Sequence, residues 1–140
     1  MRIVLDTSVI VAGFRSRRGA SNLLLRRVAE GILRPLVSTA LFLEYEDVLL
    51  RPEQRLATGM TEKDVELALA ALASAAEPVE VHFRWRPQLG DPSDELVLEA
   101  AVNGRADALV PHNIRDFEGA AAQFELRVIR PQQCLKEIGP

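Results

Sequence analysis

The sequence predicts an α/β chain folded as a three-layer α/β/α sandwich around a central parallel sheet of four to five strands. Two observations carry that prediction. Short apolar runs alternate along the chain with longer amphipathic stretches, the pattern of strands joined by crossover helices. Most of the runs are also continuous in apolar residues, as strands covered on both faces are. With 140 residues, 48% of them hydrophobic, one domain spanning residues 1–140 can bury roughly two thirds of its unfolded surface. The single cysteine, Cys134, excludes an internal disulfide and a cysteine-rich zinc site, and suits a reduced, cytoplasmic setting. No segment approaches the ~20 apolar residues that span a bilayer, so neither membrane insertion nor secretion is expected.

In order, Arg2–Leu5 (RIVL) is the first strand, closed at once by Asp6. Ser21 to Gly31 reads as a helix with Ser21 as N-cap and Gly31 as stop. Leu36–Ser38 is a second strand, after which Thr39 caps a helix running to Leu50. Arg51-Pro52 ends it, because the residue before proline is pushed out of helical geometry. Thr61 caps a helix over Glu62–Ala76 whose stripe of Val65, Leu69, Leu72 and Ala76 faces a core. Pro78–Phe83 alternates as an extended segment. Pro92–Asn103 is a helix entered through Asp91 and left through Gly104. Asp107–Val110 and Arg127–Arg130 are the last strands, and Pro131 opens a short helix carrying Cys134 and Leu135.

The net charge of −3, from 20 acids against 17 bases, conceals an uneven distribution. Residues 1–34 carry seven arginines against Asp6 and Glu30, a surplus of +5, and the remainder carries −8. Lys63 and Lys136 are the only lysines. Guanidinium forks suit phosphate or carboxylate better than ammonium groups do.

In open parallel sheets a ligand site forms beyond the carboxyl ends of the strands, so the residues just after each strand are informative. Asp6 follows the first strand, Glu44 lies one to two turns into the helix after the second, Asp94 sits in the first turn of the helix from Pro92, and Asp116 follows Asp107–Val110 by a short turn. Leu41 and Val48 lie three before and four after Glu44, which puts it on their inward side and Glu46 elsewhere. Four carboxylates sharing one cleft repel by about 4 kcal/mol for each pair ~4 Å apart at an effective dielectric near 20, a cost that a divalent cation removes. Oxygen donors of this kind suit Mg²⁺ or Mn²⁺, and the chemistry implied is phosphoryl transfer. Structural readings stay open beside this one: Asp6 and Asp91 as helix caps, Asp94 as a first-turn acid favouring the helix dipole, Asp116 as a turn residue.

These residues also resemble the PIN-domain family, in the form of the VapC-type ribonuclease toxins of toxin-antitoxin pairs. RIVLDTSVIVAGF is similar to the family's strand followed by Asp-Thr-Asn or Asp-Thr-Ser. VSTALFLEYEDVLLRPE resembles its second block with Glu44 as the acid, and DPSDELVLEAAVNGRADALV its third with Asp94 at the metal-binding position. PHNIRDF resembles its Thr-x-Asn-x-x-Asp-Phe, with Asn113 and Asp116 matching; the likeness runs from residue 1 to about residue 131. It implies that Asp6, Glu44, Asp94 and Asp116 form the catalytic set, that Asp6, Asp94 and Asp116 hold Mg²⁺ or Mn²⁺, and that a metal-activated water cleaves RNA. Thr7 or Ser8 would support the first acid, Asn113 the last, and Asp91 is an alternative or additional ligand. The chain departs from the pattern in Ser8, where asparagine is commoner, and in Pro111, which replaces a hydroxyl that usually helps hold the fourth acid. A homodimer and a small antitoxin covering the acidic cleft are implied as partners.

The loop with Arg15, Arg17 and Arg18 is the expected surface for RNA phosphates. His82 and His112 lack ligand spacing, and Trp85 between Arg84 and Arg86 could stack a base or pack over a sheet edge. A receiver domain would need a lysine at a late strand end, where neither lysine lies, and a haloacid-dehalogenase-type phosphatase would need an aspartate where Ser8 stands. The nearer alternatives are a PIN-like RNA-processing nuclease without an antitoxin and a catalytically silent PIN-fold binding module.

Overall fold

Ile3, Val4 and Leu5 are withdrawn from water, and the strand they form, β1 (Arg2–Leu5), is an inner strand of an all-parallel sheet in a computed structural model that describes residues 1–84 and 89–139. The sheet also holds β2 (Arg34–Ser38), β3 (Glu77–Val79) and β4 (Ala108–Val110), in the order β3-β2-β1-β4. All three residues of β4 and the last four of β2 are buried, as strands sandwiched between two helical layers must be. The chain leaves β1 towards β2 and β3 and returns to β4 on the opposite side. The reversal therefore lies between β1 and β4, where open sheets form their ligand crevice.

The helices are α1 (Thr7–Arg15), α2 (Ala20–Ala29), α3 (Thr39–Leu50), α4 (Pro52–Thr58), α5 (Glu62–Ala75), α6 (Pro92–Gly104), α7 (Glu118–Gln123) and α8 (Pro131–Ile138), with a 3₁₀ turn at Ile114–Asp116. Helix α6 lies against all four strands, while α1, α2, α3 and α5 pack among themselves. The core joins the layers through Ile3, Leu36, Tyr45, Val97, Leu109 and Phe117.

Several sequence expectations shift. The sequence pattern marks no element over α1, and α4 begins at the proline expected only to stop α3; proline at the first helical position is well tolerated because its missing N–H has no intrahelical partner there. The cap of α2 is Gly19, not Ser21, which is buried in the first turn. The cap of α3 is Ser38, whose hydroxyl accepts from the Leu41 amide at 3.1 Å, one residue before Thr39. Thr61 caps α5 as expected, in a reciprocal capping box with Asp64.

The extended segment over 78–83 pairs only as far as Val79. Beyond it the Asn103 side chain takes the backbone bonds, accepting from the His82 and Phe83 amides, both at 3.1 Å, and donating to the Phe83 carbonyl at 3.0 Å. The expected strand at 127–130 is reduced to one parallel bridge, Leu109 to Val128. Gly104 ends α6, but the left-handed residue is Arg105 (φ 51°). Gly104 is needed for another reason: a Cβ there would stand 2.9 Å from Val79 Cγ2 and 3.1 Å from Leu36 Cδ1. Among the described residues no helix is long and apolar enough to cross a membrane.

Candidate active site

Asp6 stands where β1 gives way to α1, 9% exposed. Its amide donates to the Val110 carbonyl at 3.1 Å, which ties the end of β1 to the end of β4. Its carboxylate occupies the N-cap position without making a capping hydrogen bond; it accepts instead from the Ser8 hydroxyl. Burial raises the Asp6 pKa, the Ser8 hydroxyl and the nearby Thr7 and Ser8 amides work against that rise, and the charge of Asp116 adds to it. The capping role considered for Asp6 is therefore not the one its side chain performs.

Behind Asp6 stands Tyr45 of α3, 1% exposed, whose hydroxyl donates to the Leu5 carbonyl at 2.5 Å. The β1–β2 ladder ends at Ile3 and Pro35, and beyond that end the phenol supplies a donor to the last carbonyl of β1, just before the acid. Burial, then the Asp6 charge, keeps this phenol protonated far above its ordinary range.

Asp94 lies in the first turn of α6, which starts at the carboxyl end of the sheet because it carries the chain from β3 to β4. Its pKa is pushed up to about 7, by burial first and then by the charges of Asp6, Asp91, Asp116 and Glu95. Asp116 ends the 3₁₀ turn after β4, exposed, and accepts from the Asn113 side-chain amide at 3.3 Å. Asn113 is itself fixed by accepting from the Arg115 amide at 3.2 Å. Asp91 caps α6, accepting from the Ser93 amide at 2.8 Å, so its structural reading holds while its charge still reaches Asp94.

The structure thus brings Asp6, Asp94 and Asp116 into one electrostatic field at the switch point. Glu44 is not among the charges that raise Asp6 or Asp94. It is half-buried on α3, as Glu46 is, and its charge acts on Arg51; the inward position at this level belongs to Tyr45.

The sequence pattern does not single out Tyr45 or Glu95, and it names Thr7 only as a support for Asp6. Glu95 is 4% exposed and accepts from the Leu89 amide at 2.7 Å, and Glu99 one turn on is equally buried. Two acids four residues apart inside an apolar run, ELVLEAA, were the available signal. Thr7 is 9% exposed, with Oγ1 unpartnered among the described residues. His82 pairs with exposed Glu80 at 3.4 Å, away from the acids, and Trp85 lies outside the described residues.

Among the described residues no three acids, histidines or cysteines are gathered as a ready-made metal cage. The fit to a divalent cation rests on other properties. The donors are hard oxygens, burial and then the charges of Asp6, Asp91, Asp116 and Glu95 push Asp94 up to about 7, and the Thr7 hydroxyl beside Asp6 is buried without a partner among the described residues. Magnesium keeps several waters and is commonly held by one or two carboxylates with substrate phosphates, so a full cage is not required.

Fold and site together define an α/β protein with an oxygen-donor acidic centre at the switch point of its sheet. A family model described as PIN domain matches residues 2–115, and the chain belongs to the PIN-domain family, whose fold is of nuclease type and whose members typically use divalent metal ions. The match includes Asp6, Glu44 and Asp94 and stops one residue before Asp116. No similar curated protein and no similar solved structure was found.

Proposed function

We propose that the chain is a metal-dependent endoribonuclease, the toxin of a type II toxin-antitoxin pair. The single observation that supports it best is the gathering of Asp6, Asp94 and Asp116 at the switch point of the sheet, where burial and then the neighbouring carboxylate charges push Asp94 up to about 7. Asp6, Asp94 and Asp116 would hold Mg²⁺ or Mn²⁺; when bound, the ion lowers the pKa of a water and neutralises charge on the phosphate being cut. The chain's own residues do the rest. Ser8 holds the Asp6 carboxylate in place, Tyr45 fixes the strand end that carries it, and Asn113 orients Asp116. Asp91 is left to steady the start of α6, and Glu44 would complete the catalytic set from α3. A homodimer and an antitoxin that covers the acidic opening complete the reading.

The test is cleavage of RNA by the purified chain with Mg²⁺ or Mn²⁺, beside Asp6→Asn and Asp94→Asn. Loss of about 10²-fold or more in each variant is expected, since each removes charge on which transition-state stabilisation depends. Equal activity in all three, or activity that survives EDTA, overturns the proposal.

A further inference from the structure

A cleft of about 390 Å³ opens beside the acidic centre, between α1, the start of α4 and the turn after β4. That volume falls within the ~300–1,000 Å³ of small-ligand sites. Ser8 belongs to both places: its hydroxyl donates to Asp6, and its residue lines the cleft. Val11 and Val48 supply an apolar wall, and Arg15, Gln54 and His112 supply the polar groups. No acid lines it.

The polar groups are largely uncommitted. Among the described residues Arg15 has no ion pair and the Gln54 side chain no hydrogen bond, while the buried Thr7, which lines the same cleft, has its hydroxyl unpartnered. His112 lies 3.5 Å from the Ser21 hydroxyl. A bare phosphate would make no use of the apolar wall, and an apolar peptide would leave Arg15 and Gln54 without partners. A flat heterocycle with hydrogen-bonding edges and an attached phosphate uses every part.

We propose that this cleft is a nucleotide subsite, which seats the nucleotide next to the scissile phosphate and sets base preference through Gln54. This rests on the ribonuclease reading and deepens it. Arg15 takes the phosphate, the base lies on Val11 and Val48, and the Gln54 amide, both donor and acceptor, reads the base edge.

The test needs no metal. The four ribonucleoside 5′-monophosphates are titrated in EDTA into the full chain and followed by NMR. The expected result is saturable shifts at the Gln54 side-chain amide and the Val11 and Val48 methyls, with one base bound at least about threefold more tightly than the others. Arg15→Ala weakens all four by a similar factor of about five or more, and Gln54→Ala abolishes the difference between bases while changing the mean affinity about twofold or less. Shifts that are absent or confined to Asp94 and Asp116, or a base preference that survives Gln54→Ala, overturn the subsite. RNA cleavage by the same preparations separates the two failures. Asp6-dependent cutting without these shifts rejects the subsite alone; nucleotide binding without cutting rejects the nuclease reading and the subsite's assignment with it.

Discussion

Asp94 links the site to measurable stability. Its carboxyl titrates at about 7 in the folded chain against an ordinary value of 3.8, so between those values the folded protein holds a proton that the unfolded chain releases. The sign follows: the metal-free protein loses stability as pH rises through that window, and Asp6, also raised, acts in the same direction. Thermal melts in EDTA should give a lower Tm at pH 8 than at pH 5.5, and Asp94→Asn should flatten the difference. Added Mn²⁺ should raise Tm more at pH 8 than at pH 5.5, because binding requires the deprotonated acids; no Mn²⁺ effect at either pH would count against a shared site. Tyr45→Phe leaves the buried Leu5 carbonyl without its donor, and a loss of about 1–3 kcal/mol in urea unfolding is expected. The placement of Asp6, Asp94 and Asp116 at the ends of strands and the start of a helix was legible in the sequence because such positions are a local property. Tyr45 was not, because its role exists only where α3 crosses the end of a strand forty residues earlier.

At the scale of elements, the helix most important to the site was also the least legible. Val9, Ile10 and Val11 are β-branched and Gly13 is a poor helix former, so the propensity of α1 is low; burial of the three apolar side chains overrides it. Gly13 is there for contact. A Cβ on it would collide with the end of Leu25 and come within 3.2 Å of the Ser21 carbonyl, and its own carbonyl accepts from the Asn22 side chain at 2.8 Å. Gly13→Ala should therefore force α1 and α2 apart and cost about 1–3 kcal/mol, despite alanine's better propensity. Thr61→Ala, which removes the α5 capping box far from the acids, should cost about 1 kcal/mol and leave RNA cleavage intact. Denaturant unfolding of both variants checks the two figures, and a stabilised Gly13→Ala would refute the close-crossing argument. Helices with marked caps, α5 and α6, were read nearly to the residue. The edge segments at 80–83 and 127–130 were not, since their backbone partners are a side chain and a single bridge.

For the whole molecule, the structure divides the arginines that give residues 1–34 their positive surplus. Arg2 is structural: it pairs with Glu77 of β3 across β2 at 2.5 Å and donates to the Gly104 and Arg105 carbonyls. Arg27 pairs with Glu30 at 2.9 Å and Arg34 with Glu77 at 3.6 Å. Arg15, Arg17, Arg18 and Arg26 have no acidic partner among the described residues, and the first three flank the end of α1 next to the nucleotide cleft. A net charge of −3 is thus compatible with a local cationic edge beside an acidic centre. Each phosphate contact to single-stranded RNA contributes a slope of about −0.7 to log K against log salt. Replacing Arg15, Arg17 and Arg18 together by alanine should therefore reduce the slope for a short RNA, measured in EDTA so that nothing is cut, by about 2. Arg27→Ala, whose guanidinium is already committed to Glu30, should leave the slope within about 0.3 of wild type, less than half of one contact. A triple variant with the wild-type slope would move the RNA-binding edge away from α1, and an equal effect from Arg27→Ala would mean that total charge rather than this edge attracts the strand.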